Sequence, residues 1–597
     1  MANFLAVLDP DASRRRAFLE AIEPRIAPLP GLVTQHREAG DCAVVWAAGA
    51  QAPLSVAEQD GGVAVLWGDA LEGGRRVTAG ELAAAWRGSG GQTPQPMDGF
   101  HAAVVHHPRL GLLASADLLG LFPLYYFSAD TVRLVGSSPE LFFTHPVCKG
   151  QLDYGGLAGI LLTNGLVAGR TLWAGVRRLG AGKALIAPPG EDWRELVQYE
   201  LPASDRYFSY PLSAHADLLD RAVSEALARA VPPTRACGLL LSGGIDSRHL
   251  AGTLARLGRR PEALTFGDRD DVEARCAAPV ARALRLEHRI LPVREEHYDS
   301  GAALAARWEH LSCGFSSPMM WGLCAQHTDL PAAMVAGYAL DGAIGPNTVK
   351  WPYSPEDHTL SFSRLFARVN AWGIQHETLR RLLPRPHAGL VDEVVSQLQE
   401  EYRQGAMLES QRAWRLGLRH RHRFHVGGAA WQLSFRFWPV LPVLDQGVLA
   451  VAGGLPAASL ADRMAQKKLV CERFSGLAAL PLDRNSYDTK PLQPKLRYLL
   501  GRYPMNLLRA VLRTDGRRGR ERRYYFRTYD FNGPGWRRVR RLVEPLRRHL
   551  DPLFEPEVLR GVLPGTAEYP AYRDGIVESA GPKLLVGLSL LLGEHPI

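Results

Sequence analysis

The segment Ser242-Gly243-Gly244-Ile245-Asp246-Ser247 constrains this chain more than any other. It follows a short apolar run, Gly238-Leu239-Leu240-Leu241, and precedes apolar residues at helical spacing through Leu250 and Leu254. A strand, a glycine loop and a helix in that order turn backbone N–H groups and a positive helix end toward an anion. Gly243 and Gly244 let the backbone come close to that anion. Ser242 and Ser247 add hydroxyl donors. Asp246 would repel a phosphate group unless Mg²⁺ lies between them. The loop is not a Walker A sequence, which needs GxxxxGK[ST].

The surrounding pattern predicts a doubly wound α/β domain. Ala263-Leu264-Thr265-Phe266 reads as a second buried strand, followed by an acidic loop and a helix from about Val272 to Leu284. Ala332 to Ala336 reads as a third strand running into Gly337. The chain after about 360 reads as mostly helical. The first two hundred residues differ: short apolar runs such as Cys42–Trp46, Val63–Trp67, Ala102–Val105 and Leu110–Leu113 alternate with Gly, Pro and Asp turns, which predicts a β-rich unit. Pro202, Ser204, Asp205 and Pro211 mark a linker, so the expected division is 1–205 and 206–597. At 597 residues the chain has room for several cores.

The six-residue loop resembles the PP-loop of the asparagine synthetase superfamily, whose members cleave ATP between the α and β phosphates. The resemblance extends along most of the chain and implies an ATP- and Mg²⁺-dependent, AMP-forming carbon–nitrogen ligase. Gly337-Tyr338-Ala339-Leu340-Asp341-Gly342 occupies the place of the family's second acidic motif, Gly-Glu-Gly-x-Asp-Glu. By that resemblance Asp246 and Asp341 share the metal, and Leu240, Leu241, Thr265, Phe266 and Gly337 border the adenosine. Tyr338 stands where asparagine synthetases have Glu. The β-lactam synthetase branch has Tyr there, acting with a carboxylate on an amine; Glu377 is the expected partner. A phenol titrates near 10, so it needs such help at neutral pH. Pro442-Val443-Leu444-Asp445, Ala465 to Leu469 and Leu480-Pro481 follow in family order, and Lys490 falls near the family's catalytic lysine, with Lys495 close behind. A lysine there would offset charge on leaving pyrophosphate and on the tetrahedral intermediate. Asp268, Asp270, Asp271 and Glu273 read as helix-capping residues.

The amino-terminal unit resembles the family's N-terminal nucleophile glutaminase, a β-sandwich between helices (αββα). Asp98-Gly99-Phe100, Ala116 to Tyr126, Gly136 to Glu140 and Thr171 to Gly182 carry that resemblance. Position 2 is Ala rather than the nucleophilic Cys. No glutamine hydrolysis is expected by the usual route, so another amine must capture the adenylate. Two branches fit: lasso peptide cyclases, which close a macrolactam between a peptide's N-terminal amine and an Asp or Glu side chain, and small-molecule amide or β-lactam synthetases. Chain length and a basic surface favour the cyclase, with a leader-cleaved peptide as substrate and a leader-binding protein and leader protease as partners. A non-catalytic nucleotide-binding subunit is the alternative of another class.

The seven cysteines are scattered without a CxxC pair, which points away from a disulfide framework or zinc site and toward the cytoplasm. No signal peptide or membrane span is expected. The net charge of +9 is concentrated late: fifteen arginines against four acids lie between Arg502 and Arg548. That stretch reads as a solvated helical face or a docking surface for an acidic partner; nucleic acid is not expected, because no binding module accompanies it.

Overall fold

The structure is a computed structural model that describes residues 2–346, 361–406, 408–484, 489–494, 523–572 and 575–595. Two six-stranded antiparallel sheets form the amino-terminal part. In spatial order the first holds Arg177–Arg178, Tyr125–Ala129, Val132–Gly136, Ala2–Leu8, Cys42–Ala48 and Val33–Ala39. The second holds Arg194–Val197, Lys183–Ala187, Gly111–Ala116, His101–His107, Gly62–Gly68 and Leu54–Gln59. Residue alternation sorts the second sheet's two faces. Val63, Val65 and Trp67 join the main core, while Ala64 and Leu66 pack with Leu82 and Trp86 of the helix Ala79–Gly88. That helix begins in a capping box between Thr78 and Glu81. Helices Ala12–Ile22 and Tyr154–Thr163 bury their apolar residues in the main core. The expected sandwich with helices around it is therefore the observed fold.

Five parallel strands form the second sheet system, in the order His288–Leu291, Glu262–Phe266, Gly238–Leu240, Ala333–Val335, Trp438–Val440. Numbered by sequence this is 3-2-1-4-5, so the order reverses direction between Gly238–Leu240 and Ala333–Val335. Ligands of open α/β sheets bind beyond the carboxyl ends of strands at such a point. Three strands were legible in the sequence. His288–Leu291 was not singled out, and Trp438–Val440 corrects the reading of the later chain as helical: it is three residues long with Pro439 inside, at the sheet edge, where proline costs no ladder bond. Among the described residues the rest of the carboxyl-terminal region is helical, ending in the buried helix Ala580–Glu594. No described helix is long and apolar enough to cross a membrane.

The two parts are joined by motifs that sequence alone presented separately. Gly99 N–H donates to the Leu444 carbonyl at 2.7 Å, and Gln446 N–H donates to Asp98 Oδ1 at 2.9 Å. Trp438 Nε1 donates to the Phe100 carbonyl at 3.0 Å, and its ring lies where a Cβ on Gly68 would be, 2.3 Å away. The Asp98-Gly99-Phe100 and Pro442-to-Asp445 segments thus dock on each other. Asp445 also caps the helix Gln446–Gly453 and pairs with Arg229 at 2.5 Å.

The arginine-rich stretch is, where described, a weld rather than a solvated face. Arg523 is fully buried against Glu273 and Asp483, Arg527 pairs with Asp268 and Asp271, and Arg538 pairs with Asp299. Asp271 stands at the N-cap of the helix Val272–Leu284, but its side chain serves Arg527 and the Asp268 N–H instead of capping the helix, and Glu273 serves Arg523 and the Tyr524 N–H at 3.1 Å. The capping expectation is corrected for these two residues: distant arginines outcompete the local N–H groups.

Candidate active site

Two cavities meet at the loop after Gly238–Leu240. One, of about 220 Å³, lies at the strand ends and is walled by Leu240, Leu241, Thr265, Phe266, Gly337 and Tyr338, with Ser242, Asp246, Ser247, Glu273 and Tyr524 at its polar side. The other, of about 320 Å³, shares Ser242 and Asp246 with it and is lined by Gly244, Arg463, Lys467, Asp483 and Arg484. The structure therefore brings together every residue expected at the adenosine and phosphates, apart from Gly243, which lies under the loop.

Gly243 has φ +74°, and a Cβ there would stand 2.5 Å from Cys276 Cβ and 2.6 Å from the Ala277 nitrogen. Only glycine allows the loop to sit so low on the neighbouring helix. Gly244 is the N-cap of the helix Ile245–Arg256. The Ser242 hydroxyl receives the Gly244 N–H at 3.3 Å and lies 3.3 Å from the Ser247 hydroxyl. Arg248, fully buried, donates to the carbonyls of Gly243, Leu477 and Leu480 at 3.1, 2.6 and 3.0 Å. Burial lowers its pKa to about 10, still charged at neutral pH. It fastens the loop to the Leu480-Pro481 segment, which explains why those two motifs occur together.

Asp246 accepts from Gln466 Nε2 at 2.8 Å and from Arg463. The other arm of Arg463 lies 3.8 Å from Asp341 Oδ2, and His422 Nε2 lies 3.8 Å from Asp341 Oδ1. Burial works against the charge on Arg463, but Asp246 and Asp341 outweigh it and hold its pKa above the ordinary value. One guanidinium thus stands between two carboxylates. Two carboxylates from separate strand ends converge on one cation beside the Ser242–Ser247 loop, a donor set whose chemistry fits Mg²⁺. Gly337 permits the approach, since a Cβ there would lie 3.1 Å from Asp246 Cβ.

The second acidic motif departs from the family pattern at two further positions with structural consequences. Ala339 adopts φ +59° where the family has glycine, a conformation that costs a non-glycine residue roughly 1–2 kcal/mol. Gly342 stands where the family has Glu, and the His422 ring fills the space 2.4 Å from where its Cβ would be.

Tyr338 is half-buried beside Tyr524 and Tyr529; burial, then Tyr529, pushes its phenol well above the ordinary value. Glu377 is not brought to it. That carboxylate is 82% exposed on the helix His376–Leu382 and pairs with His376 Nδ1 at 3.1 Å. The expected partnership is corrected: residues 362–382 pack around the Tyr154–Thr163 helix instead of reaching the nucleotide loop. Lys490 is exposed and lines neither cavity, but its carbonyl accepts from Arg484 Nε at 3.0 Å, and Arg484 lines the basic cavity. Lys495 lies outside the described residues. Arg463, Lys467 and Arg484 line the basic cavity without having been singled out in the sequence. Gln466 and Lys467 sit in a family-ordered segment, which was the available signal; Arg463 and Arg484 had none.

Residues 214–478 match the asparagine synthase family model. The match covers less than half of the chain and marks that part as similar to asparagine synthase domains. No curated protein matches the chain. Solved structures with some likeness include the allosteric regulatory enzyme of purine biosynthesis (11% identity, TM-score 0.23, 48% of this chain and 80% of that one). Glutamine phosphoribosylpyrophosphate amidotransferase from B. subtilis, complexed with ADP and GMP, is 12% identical (TM-score 0.21, 48% and 65%). NMN synthetase from Francisella tularensis is 14% identical (TM-score 0.18, 36% and 96%).

Proposed function

We propose that this protein uses ATP to activate a peptide's Asp or Glu side-chain carboxylate as an acyl-adenylate and closes a macrolactam with the peptide's N-terminal amine, as lasso peptide cyclases do. The observation that carries the reading is the pair of cavities meeting at Ser242 and Asp246, one apolar at the strand ends and one lined by Arg463, Lys467 and Arg484.

The nucleoside lies along Leu240, Leu241, Thr265 and Phe266, and the phosphates lie over the loop. Asp246 and Asp341 would hold Mg²⁺, which would supply charge neutralisation for the phosphates. A carboxylate oxygen attacks the α-phosphorus, the bond to the β-phosphate oxygen breaks, and pyrophosphate departs toward Arg463, Lys467 and Arg484. The amine then attacks the acyl carbon, the bond from that carbon to the AMP phosphate oxygen breaks, AMP leaves, and the amine's proton passes to solvent water. Tyr338 enters as a neutral phenol that orients the amine. Lys490, joined to the basic cavity through Arg484, steadies charge on the tetrahedral intermediate. Because no glutaminase activity is expected, the amine comes from the substrate.

A third cavity favours a peptide over a small acid. It measures about 900 Å³, near the upper end of ordinary ligand pockets, and is lined by Trp372, Tyr525 and Phe526 among others. Tyr525 follows Tyr524 of the nucleotide cavity. Arg421, stacked 3.4 Å from the centre of the Trp372 ring, lies close enough to Asp341 to feel its charge. Seating a part of the peptide there would help bring amine and adenylate together, and positioning would supply much of the rate.

The test is incubation with ATP, Mg²⁺ and a leader-cleaved peptide, followed by mass spectrometry. Loss of one water with stoichiometric AMP supports the cyclase. Turnover with a small N-acylated amino acid alone assigns the protein to the small-molecule or β-lactam branch. No turnover with any carboxylate, despite ATP binding, supports a non-catalytic subunit.

A further inference from the structure

A second polar cavity, of about 540 Å³, lies where the amino-terminal sandwich meets the helical region, and it shares no residue with the nucleotide site. Arg177 and Arg178 reach it from the edge strand of the first sheet; Arg415, Arg419 and Arg423 reach it from the helices after 409. Three of the five are buried: Arg178 is 1% exposed, Arg415 5% and Arg423 6%.

A buried guanidinium cannot shed its proton, and without a counter-charge its desolvation costs several kcal/mol. Among the described residues none of these five arginines forms an ion pair, although arginines elsewhere in the chain are paired many times over. Their hydrogen bonds go to neutral oxygens. Arg178 donates to the Tyr125 hydroxyl at 2.8 Å and to the Gly120 carbonyl at 3.0 Å. Arg423 donates to that same Gly120 carbonyl at 3.3 Å and to the Leu179 carbonyl, so two like charges converge on one acceptor. Arg177 donates to the Ala168 carbonyl at 2.7 Å, and Arg415 to the Gly405 carbonyl. The Nε atoms of Arg178 and Arg415 are buried without any partner. Burial, then the nearby Arg178, lowers the Arg423 pKa to about 9.

The cavity's acids offset this charge only in part: Glu401 lies close enough to Arg419 and Arg423 to feel their charge, and Glu195 and the nearby Asp117 bear on Arg423, but none of them is in ion-pair contact with the five arginines. Glu195 is taken by Lys183 at 2.8 Å. Glu200 and Glu400 are exposed, and Glu401 is half-buried without an ion pair. Carbonyl bonds alone explain how the arginines hold the two parts together, but not why five cations surround an open volume with none of them paired.

We propose that this cavity binds a small polyanion of the phosphate or polycarboxylate class, whose oxygens take the forked guanidinium donors and supply the missing negative charge. Its volume suits a small molecule rather than a macromolecular surface. The inference is independent of the substrate assigned to the nucleotide site.

The test is calorimetric titration of the full chain, in EDTA, with inorganic pyrophosphate and with citrate, against acetate at matched ionic strength. The measurement is repeated on an Arg177→Gln/Arg419→Gln double variant and on Asp246→Ala. Arg177 is exposed and Arg419 half-buried, so the pair can be changed without opening the core. The expected result is saturable binding of pyrophosphate or citrate, weakened at least tenfold in the double variant and retained in Asp246→Ala; which ligand binds identifies the class. No saturable binding of either, or binding equal in wild type and double variant, overturns the proposal, as does binding lost only in Asp246→Ala.

Discussion

The carboxyl ends of the parallel strands and the interior of the amino-terminal sandwich are built from equally apolar strands, yet they finish differently. At the parallel sheet, Ser242, Asp246 and Asp341 stand at or beside two cavities with Arg463 between the carboxylates. In the sandwich, the space behind the first strand is filled by rings: Phe4 stacks on Trp67 at 4.0 Å, and Trp46 and Phe122 close around them. Cys42 is fully buried, and burial drives its thiol far above the ordinary range, so it offers no thiolate. The contrast teaches that sheets of similar apolar make-up differ in what finishes them: polar loops at the strand ends in one, close-packed rings in the other. Asp98, Gly99 and Phe100 now serve the contact with Trp438, Leu444 and Gln446.

Substitutions can break that comparison. Asp246→Ala should reduce ATP–pyrophosphate exchange on the order of 1000-fold with folding intact, read by exchange kinetics and circular dichroism. Trp67→Ala should do the reverse: about 3 kcal/mol or more of stability lost in denaturant unfolding, with turnover of the folded protein retained. If Trp67→Ala abolishes turnover in folded protein, the sandwich is not mere packing.

Glu309 sharpens the picture inside the part that carries the parallel sheet, where it ties three helices together. It is buried, accepts from Trp321 Nε1 and Gln432 Nε2, and burial raises its pKa to about 7. The folded state therefore binds a proton that the unfolded state releases near 4.5. Stability from this group is present at low pH and falls as pH rises from about 4.5 through 7, by about 3 kcal/mol in all. Glu309→Gln should flatten that part of the stability–pH curve; an unchanged slope would assign it to other groups.

Smaller effects separate the remaining candidates. Lys490→Ala should slow amide formation about tenfold while changing exchange less, because its charge is placed at the second step. Equal rates in both assays would remove Lys490 from the chemistry. Glu377→Ala should leave both rates within about twofold, as expected of an exposed side chain away from the site.

Local sequence revealed the loop, its strand and helix, and the position of Asp341, because each depends on neighbours a few residues away. It did not reveal Arg463, whose partner Asp246 lies 217 residues away, or Arg484, which lines the basic cavity because its segment docks on the Gly243 carbonyl through the Asp483 N–H. Tyr524 reaches the nucleotide cavity from far along the chain, carried there by the burial of Arg523 between Glu273 and Asp483. The Glu377 assignment failed for the same reason: sequence order says nothing about which distant carboxylate faces a phenol.

The most direct measurement is the identity of the nucleotide products, followed by ³¹P NMR with ATP, Mg²⁺ and the leader-cleaved peptide. The account predicts AMP and pyrophosphate, absent in Asp246→Ala. Formation of ADP and inorganic phosphate would contradict it.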